Sequence, residues 1–192
     1  MIVYKGFNAK LESVLGNGDK KTSRFASGIT LEVPYSKTMK SGFHCCENPF
    51  ECLRYYKLDG KNRFFKVDAQ GDIDEDEIER ISCTRITILE ELSPLRFAME
   101  GMTYIINHPQ RAKWQQHYDC VSVLKDMAET GQAGNIAIAR GRNPRIRGVE
   151  GSILGLLKED ADGTITECKL LIVSKAQSGK WLSVKERQVI YV

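Results

Sequence analysis

The stretch SGFHCCENPFECLRYY, residues 41–56, decides how the N-terminal half is read, because it sets a histidine, two cysteines and a glutamate side by side from His44 to Glu47. Such a run is either a catalytic or metal centre or a strand running into a helix. Gly42 and Phe43 close a strand or turn. Asn48 can cap a helix, Pro49 suits a first helical position where no N–H is needed, and Glu51 falls three residues after the cap. FECLRYY therefore reads as a short helix whose buried face carries Phe50, Leu53 and Tyr56, with Tyr55 beside them. A zinc site needs about four ligands, and His44, Cys45, Cys46 and Cys52 lack the Cys-x-x-Cys spacing that lets two thiolates meet one ion. Adjacent cysteines on a strand also point to opposite faces. A Cys–His nucleophile would need His108 or His117 brought from elsewhere. The octet reads as a half-buried strand leading into a capped helix, and no metal is expected there.

Outward from this stretch, composition sets the class. The chain has 192 residues, 42% of them hydrophobic, which suits one domain or two small ones with a real core. With 28 basic and 25 acidic residues the net charge is only +3, so total charge alone does not imply a nucleic-acid partner. No window reaches the roughly 18 apolar residues of a membrane span, and MIVYKGFNAK at the start lacks the apolar run and cleavage site of a signal peptide. A cytoplasmic protein without a membrane partner is expected, its six cysteines reduced rather than paired.

Period-two patterns mark strands at 2–5, 24–33, 63–70 and 83–89, and DIDEDEIE at 72–79 reads as a solvated acidic loop that does not meet the EF-hand pattern. From 93 to 107, Ser93 caps, Pro94 starts, and Leu95, Ala98, Met99, Met102, Ile105 and Ile106 form one helical stripe. RAKWQQHYDCVSVLKDMAE at 111–129 predicts a second helix with Cys120, Val123, Leu124 and Met127 on its apolar face, so the two helices form a hairpin. From Gly134 onward, GNIAIARGRNPRIRGVEGSILGLL alternates small and apolar residues between glycines, as short stacked strands of a rudimentary parallel solenoid would. The expected fold is α+β: residues 1–92 a mixed sheet with a short capped helix, 93–131 a helical hairpin, and 132–192 a β-rich, solenoid-like part.

YKGF at 4–7, SGFHCCENP, RFFKVDAQGDI and TRITILEEL together resemble the KGF, GFHFCENP, YY and RF.EV.A.G.I pattern of an uncharacterised family common in bacteriophage and prophage genomes. The glycine-punctuated segment from Gly134 resembles the tail those proteins carry, so the likeness spans roughly residues 4–95 and 134–192, and the helical pair departs from it. The resemblance implies a phage-type accessory protein acting by stoichiometric protein binding, inhibition of bacterial defence in the anti-CRISPR manner among its forms, in the cytoplasm of a bacterial host.

Two function classes follow. In the first, the protein binds a host or phage protein, or a nucleic-acid-binding complex, and needs no cofactor. Arg140, Arg142, Arg145 and Arg147 fall within eight positions, and alternation would set several on one exposed face, suited to phosphates or carboxylates and so also to direct contact with nucleic acid. The acidic residues Asp74, Glu75, Asp76 and Glu77 could instead enter a basic groove as a mimic of phosphates. In the second, the strand with Gly-Phe-His and the helix with Tyr55 and Tyr56 are similar to the strand-and-helix unit of ADP-ribosyltransferases. That likeness implies NAD as cofactor and His44, Tyr55 and Tyr56 as catalytic candidates, although Lys5 takes the first-strand place and no late Glu motif follows. The expectation chosen is binding rather than catalysis.

Overall fold

A computed structural model describes residues 1–13, 25–38, 40–76, 80–109, 116–186 and 188–192. The chain is mostly β and divides into two compact units, Met1–Ser93 and Pro94–Val192.

The first unit contains β1 (Ile2–Phe7), β2 (Thr30–Glu32), β3 (Phe43–Cys46), a 3₁₀ helix (Pro49–Arg54), β4 (Arg63–Glu75) and β5 (Arg80–Leu92). β1 pairs with β3 and β4, and β5 pairs with β3 and β4, so four strands close a ring, with β2 added on β5. The expected mixed sheet is antiparallel in every one of these strand pairings. Closure removes free edges and encloses one face of each strand. Val3 and Phe7 of β1 meet Phe43, Phe65, Val67 and Ile86 in that interior. Phe7 lies 4.6 Å from Phe25 and 5.5 Å from Phe65 between ring centroids, in tilted and edge-on arrangements that aromatic quadrupoles favour. β4 and β5 are long enough to curve round the ring because Gly71, at φ 79°, sits in a register shift where a side chain would strike the Thr84 hydroxyl.

The local capping chemistry is present: the Asn48 side chain accepts from Phe50 N at 3.0 Å and Pro49 follows, but the turns tighten to a 3₁₀ helix. Of the acidic run at 72–79, residues 77–79 lie outside the described residues, and the start is strand rather than loop. Asp72 to Glu75 continue β4, and Asp74 is held by Thr38 N at 2.7 Å and Lys37 Nζ at 2.9 Å.

The second unit contains α1 (Pro94–Asn107), β6 (Gln116–Tyr118), β7 (Val121–Thr130), β8 (Ile136–Gly148), β9 (Ile153–Glu159), β10 (Ile165–Ile172), β11 (Leu182–Lys185) and β12 (Gln188–Tyr191). Its sheet runs β10-β9-β8-β11-β12, with β7 also on β8 and β6 on β7. α1 buries Phe97, Ala98, Met102 and Ile105 and packs on β9, where a side chain at Gly155 would meet Met102 Sδ. Leu95 and Met99, assigned to that stripe from spacing, are more than one-third exposed.

The expected helical hairpin over 93–131 does not form. Residues 111–115 lie outside the described residues, and the rest of the predicted second helix is β6, a turn at Asp119 and Cys120, and β7, with Val121 and Val123 buried in a parallel ladder against Ile136 and Ile138. Ladder pairing and β-branched packing outweigh the local helical spacing, and Met127 ends half exposed. β8 is parallel to both β7 and β9, yet the connections are only residues 131–135 and 149–152. Parallel neighbours usually need a crossover of about a dozen residues. Here the strands themselves turn: Asp126 has φ 63° at a register shift, and Gly141, at φ 155°, faces it so closely that a Cβ would lie 2.2 Å from Asp126 Oδ1.

Candidate functional site

Each unit presents one constellation. In the first, the ladder between β1 and β3 ends at Tyr4 and Cys46, so the strands part beyond it. Lys5, only 4% exposed, fills the gap: its ammonium donates to the His44 carbonyl and lies 5.4 Å from the Phe7 ring centroid and 5.7 Å from that of Phe25. Against this point sits a cavity of about 30 Å³, lined by His44, Tyr55 and Tyr56 together with Tyr4, Cys52 and Arg80. The three catalytic candidates from the sequence are therefore neighbours. Arg80 was missed because its place depends on β5 pairing with β3, a contact no local spacing signals. Both His44 ring nitrogens are buried and neither makes a well-formed hydrogen bond, the Lys37 backbone being the polar group nearest in effect. Burial lowers the His44 pKa from its ordinary value, the charges of Lys5 and Arg80 lower it further, and the Lys37 backbone opposes them. The neutral ring is favoured.

Cys45 and Cys46 are not activated as nucleophiles there. Cys45 is pushed well above the usual thiol range by its hydrogen bond with Cys83 and then by burial, and Cys46 by its hydrogen bond with Cys52 and then by burial. A thiol held protonated is a poor nucleophile. Among the described residues no three His, Cys, Asp or Glu side chains converge as metal ligands. The cavity has room for about one or two water molecules.

In the second unit, β8 carries the arginines, but they do not share one face. Arg140 is 7% exposed, ion-paired with Glu159 and donating to the Pro109 carbonyl at 3.2 Å. Arg147 pairs with Glu129 and lies 4.7 Å from the Trp181 ring centroid. The bend at Gly141 separates Arg140 from Arg142, so equal parity no longer means equal exposure. Arg142 and Arg145 stay exposed, with no ion pair among the described residues. They line a groove of about 560 Å³ with Lys125, Asp126, Asn143 and Asp160. Asp160 is exposed but its Oδ1 accepts from Asp162 N at 3.0 Å and Thr164 N at 2.9 Å, and the Glu159 carboxylate is taken by Arg140. Three cations therefore face one uncommitted carboxylate, Asp126. Sequence reasoning missed Lys125, which the parallel register places opposite Arg140.

Two of the four acidic candidates are engaged. Hydrogen bonds from Thr38, with Lys37 beside it, hold Asp74 far below the usual carboxylate range, and Asp76 pairs with Arg80 at 2.6 Å. Glu75 is exposed, and Glu77 lies outside the described residues.

The closed antiparallel ring with its capped 3₁₀ helix, followed by the start of α1, is the part of the chain that a family model covers. The chain belongs to the family described as domain of unknown function (DUF7666), whose model matches residues 1–100, all of the first unit and the first half of α1. No curated protein and no solved structure matches the chain. No helix among the described residues is long and apolar enough to cross a membrane.

Proposed function

We propose that the protein acts by stoichiometric binding to an acidic surface of a protein partner, through the groove of the second unit. The observation that carries this reading is the pair Arg142 and Arg145, exposed and without ion pairs among the described residues, while Arg140 and Arg147 serve the fold. Guanidinium forks take carboxylates in a bidentate manner, and an unpaired cation at the surface loses little on entering an interface that supplies its partner. The short connections of the parallel strands support a solenoid-like coil as the platform, because β7 and β8 can stay in register only if the chain turns back within each coil. The sequence resemblance suggests the setting: a phage-type accessory protein directed at bacterial defence machinery, working in the cytoplasm of the host without a cofactor.

The test uses a fluorescent oligoglutamate peptide and a single-stranded oligonucleotide of equal charge. Saturable binding of the peptide at low salt, lost in R142E/R145E and preserved in R147K, is expected. Preference for the oligonucleotide would move the reading to nucleic acid. Absence of binding to both would overturn it.

A second reading, an ADP-ribosyltransferase-like enzyme, is favoured by the meeting of His44, Tyr55 and Tyr56 at one cavity. Its volume opposes it, since a nicotinamide ring needs several times the space of one or two waters. Saturation-transfer NMR with NAD tests this reading directly: transfer to nicotinamide protons, lost in Y56A, would revive it.

A further inference from the structure

β10 ends the sheet of the second unit, pairing with β9 on one side only, and its other backbone edge has no strand partner among the described residues. Exposed edges are ordinarily blunted by proline, by bulges or by charged side chains, lysine above all, and of these charges β10 carries only Glu167 and Lys169. The single irregularity in β10 is a register shift between Ile165 and Glu167, and from Glu167 to Ile172 the strand is regular and free of glycine and proline. Thr166, Cys168 and Ile172 are exposed, Ile172 by 53%.

We propose that this edge pairs with the same edge of a second copy of the chain, extending the two sheets into one across a twofold axis. An isologous contact requires the strand to complement itself read backwards. For the core faces of both copies to remain on the same side, each residue must oppose one of its own parity, so the dyad falls on a residue, near the middle of the strand Glu167, Cys168, Lys169 or Leu170. A dyad at Glu167 sets two carboxylates against each other. A dyad at Lys169 sets two ammonium groups against each other, and one at Leu170 sets Lys169 against Leu171. A dyad at Cys168 sets Glu167 opposite Lys169 twice. Opposite charges directly across an antiparallel pair stabilise it, and like charges oppose it. Within each copy Glu167 already accepts from Lys158 Nζ at 2.6 Å, so the pairing extends a cross-strand row from lysine to glutamate to the second copy's lysine. The charge pattern selects the register.

The dyad gives a chemical signature. Residues directly opposite in an antiparallel ladder have Cα atoms about 4.5–5.5 Å apart, within the range a disulfide spans. Cys168 is exposed, whereas Cys45, Cys46, Cys52 and Cys83 are buried. Two arginine grooves would also come to lie on one continuous sheet, their β8 strands five interstrand spacings or about 24 Å apart, a spacing that favours a partner with repeated acidic sites.

The experiment measures mass by sedimentation and crosslinking by diamide, which takes up the two electrons and two protons that two thiols release on forming a disulfide. The wild type is expected to sediment as a dimer and to crosslink through Cys168. Cys168→Ser should abolish the crosslink and leave the dimer. Lys169→Glu, which sets four carboxylates along the seam, should give a folded monomer by circular dichroism, and Lys169→Arg should remain dimeric. A monomeric wild type, or a dimer that survives Lys169→Glu and yields no Cys168 crosslink, would overturn the inference. Neither result bears on anion binding by Arg142 and Arg145, which the oligoglutamate titration measures in monomer and dimer alike.

Discussion

The ammonium of Lys5 on β1 donates to the main-chain carbonyl of His44 on β3, at the place where the ladder between these strands stops. A buried carbonyl with no N–H opposite would be left unsatisfied, at a cost of about 1–3 kcal/mol. Lysine supplies the missing donor and settles its charge over the Phe7 and Phe25 rings. The same charge acts on the imidazole, as the second cause of its lowered pKa after burial. Lys5→Met keeps the packing and removes the charge, so the His44 pKa should rise toward 6.5 without reaching it, because burial remains. A proton NMR titration of the ring reads this. An unchanged or lower value would mean that Lys5 does not act on His44.

The same histidine predicts an acid-side loss of stability. Its pKa is lowered in the folded state, so between that value and the unfolded value near 6.5 the unfolded chain binds a proton that the folded chain does not. Stability therefore rises with pH through this window, is complete above it, and is lost as pH falls through it. Urea midpoints measured across the window should fall toward acid in the wild type and fall less steeply in His44→Asn. Equal slopes in both proteins would remove His44 as the source.

Gly6 is required by contact rather than by backbone angle. A Cβ there would lie 2.4 Å from Tyr56 Cδ2 and 2.8 Å from its Cγ. Because Tyr56 is nearly buried and follows the 3₁₀ helix, the ring has little room to yield. Gly6→Ala should destabilise the first unit by about 1–3 kcal/mol, the usual cost of overpacking. Tyr56→Ala removes the obstacle, so Gly6→Ala should cost much less in that background. Thermal melts of the four proteins in the cycle decide it, and additive losses would show that the clash lies elsewhere.

What could be read from the sequence was what short-range chemistry determines. Asn48, Pro49 and Glu51 announce the capped turn because capping is completed within four residues, and Pro94 with its apolar stripe announces α1 for the same reason. The strand at 121–130 was hidden because its stabilising partner is β8, aligned residue by residue from Val121 and Ile136 onward, while the local spacing suits a helix as well. The acidic run reads as a loop because Thr38, which holds Asp74 on β4, lies 36 residues away. Among candidate site residues, His44, Tyr55 and Tyr56 were found as a group, since a strand and the helix after it must meet. The arginines were found as a cluster but not sorted, because sorting depends on the bend at Gly141 and on Glu159 and Glu129 from neighbouring strands.

That sorting yields a prediction separating fold from binding on a single strand. Arg140 and Glu159 are both largely buried, with side chains 9% and 14% exposed, so each charge relies on the other for the solvation it has lost. Removing one partner strands the other, at a cost of about 3–5 kcal/mol, and Arg140 would also give up its bond to the Pro109 carbonyl. Arg140→Met should therefore lower the melting temperature of the second unit by many degrees. The double variant Arg140→Met with Glu159→Leu should recover most of the loss, because an apolar pair of similar volume is often neutral or stabilising where a buried ion pair stood. Arg142→Glu and Arg145→Glu, at exposed positions without ion pairs among the described residues, should each change stability by less than about 0.5 kcal/mol. A calorimetric series on the four variants tests both halves, and an Arg140→Met protein as stable as the wild type would return Arg140 to the list of residues available for a partner.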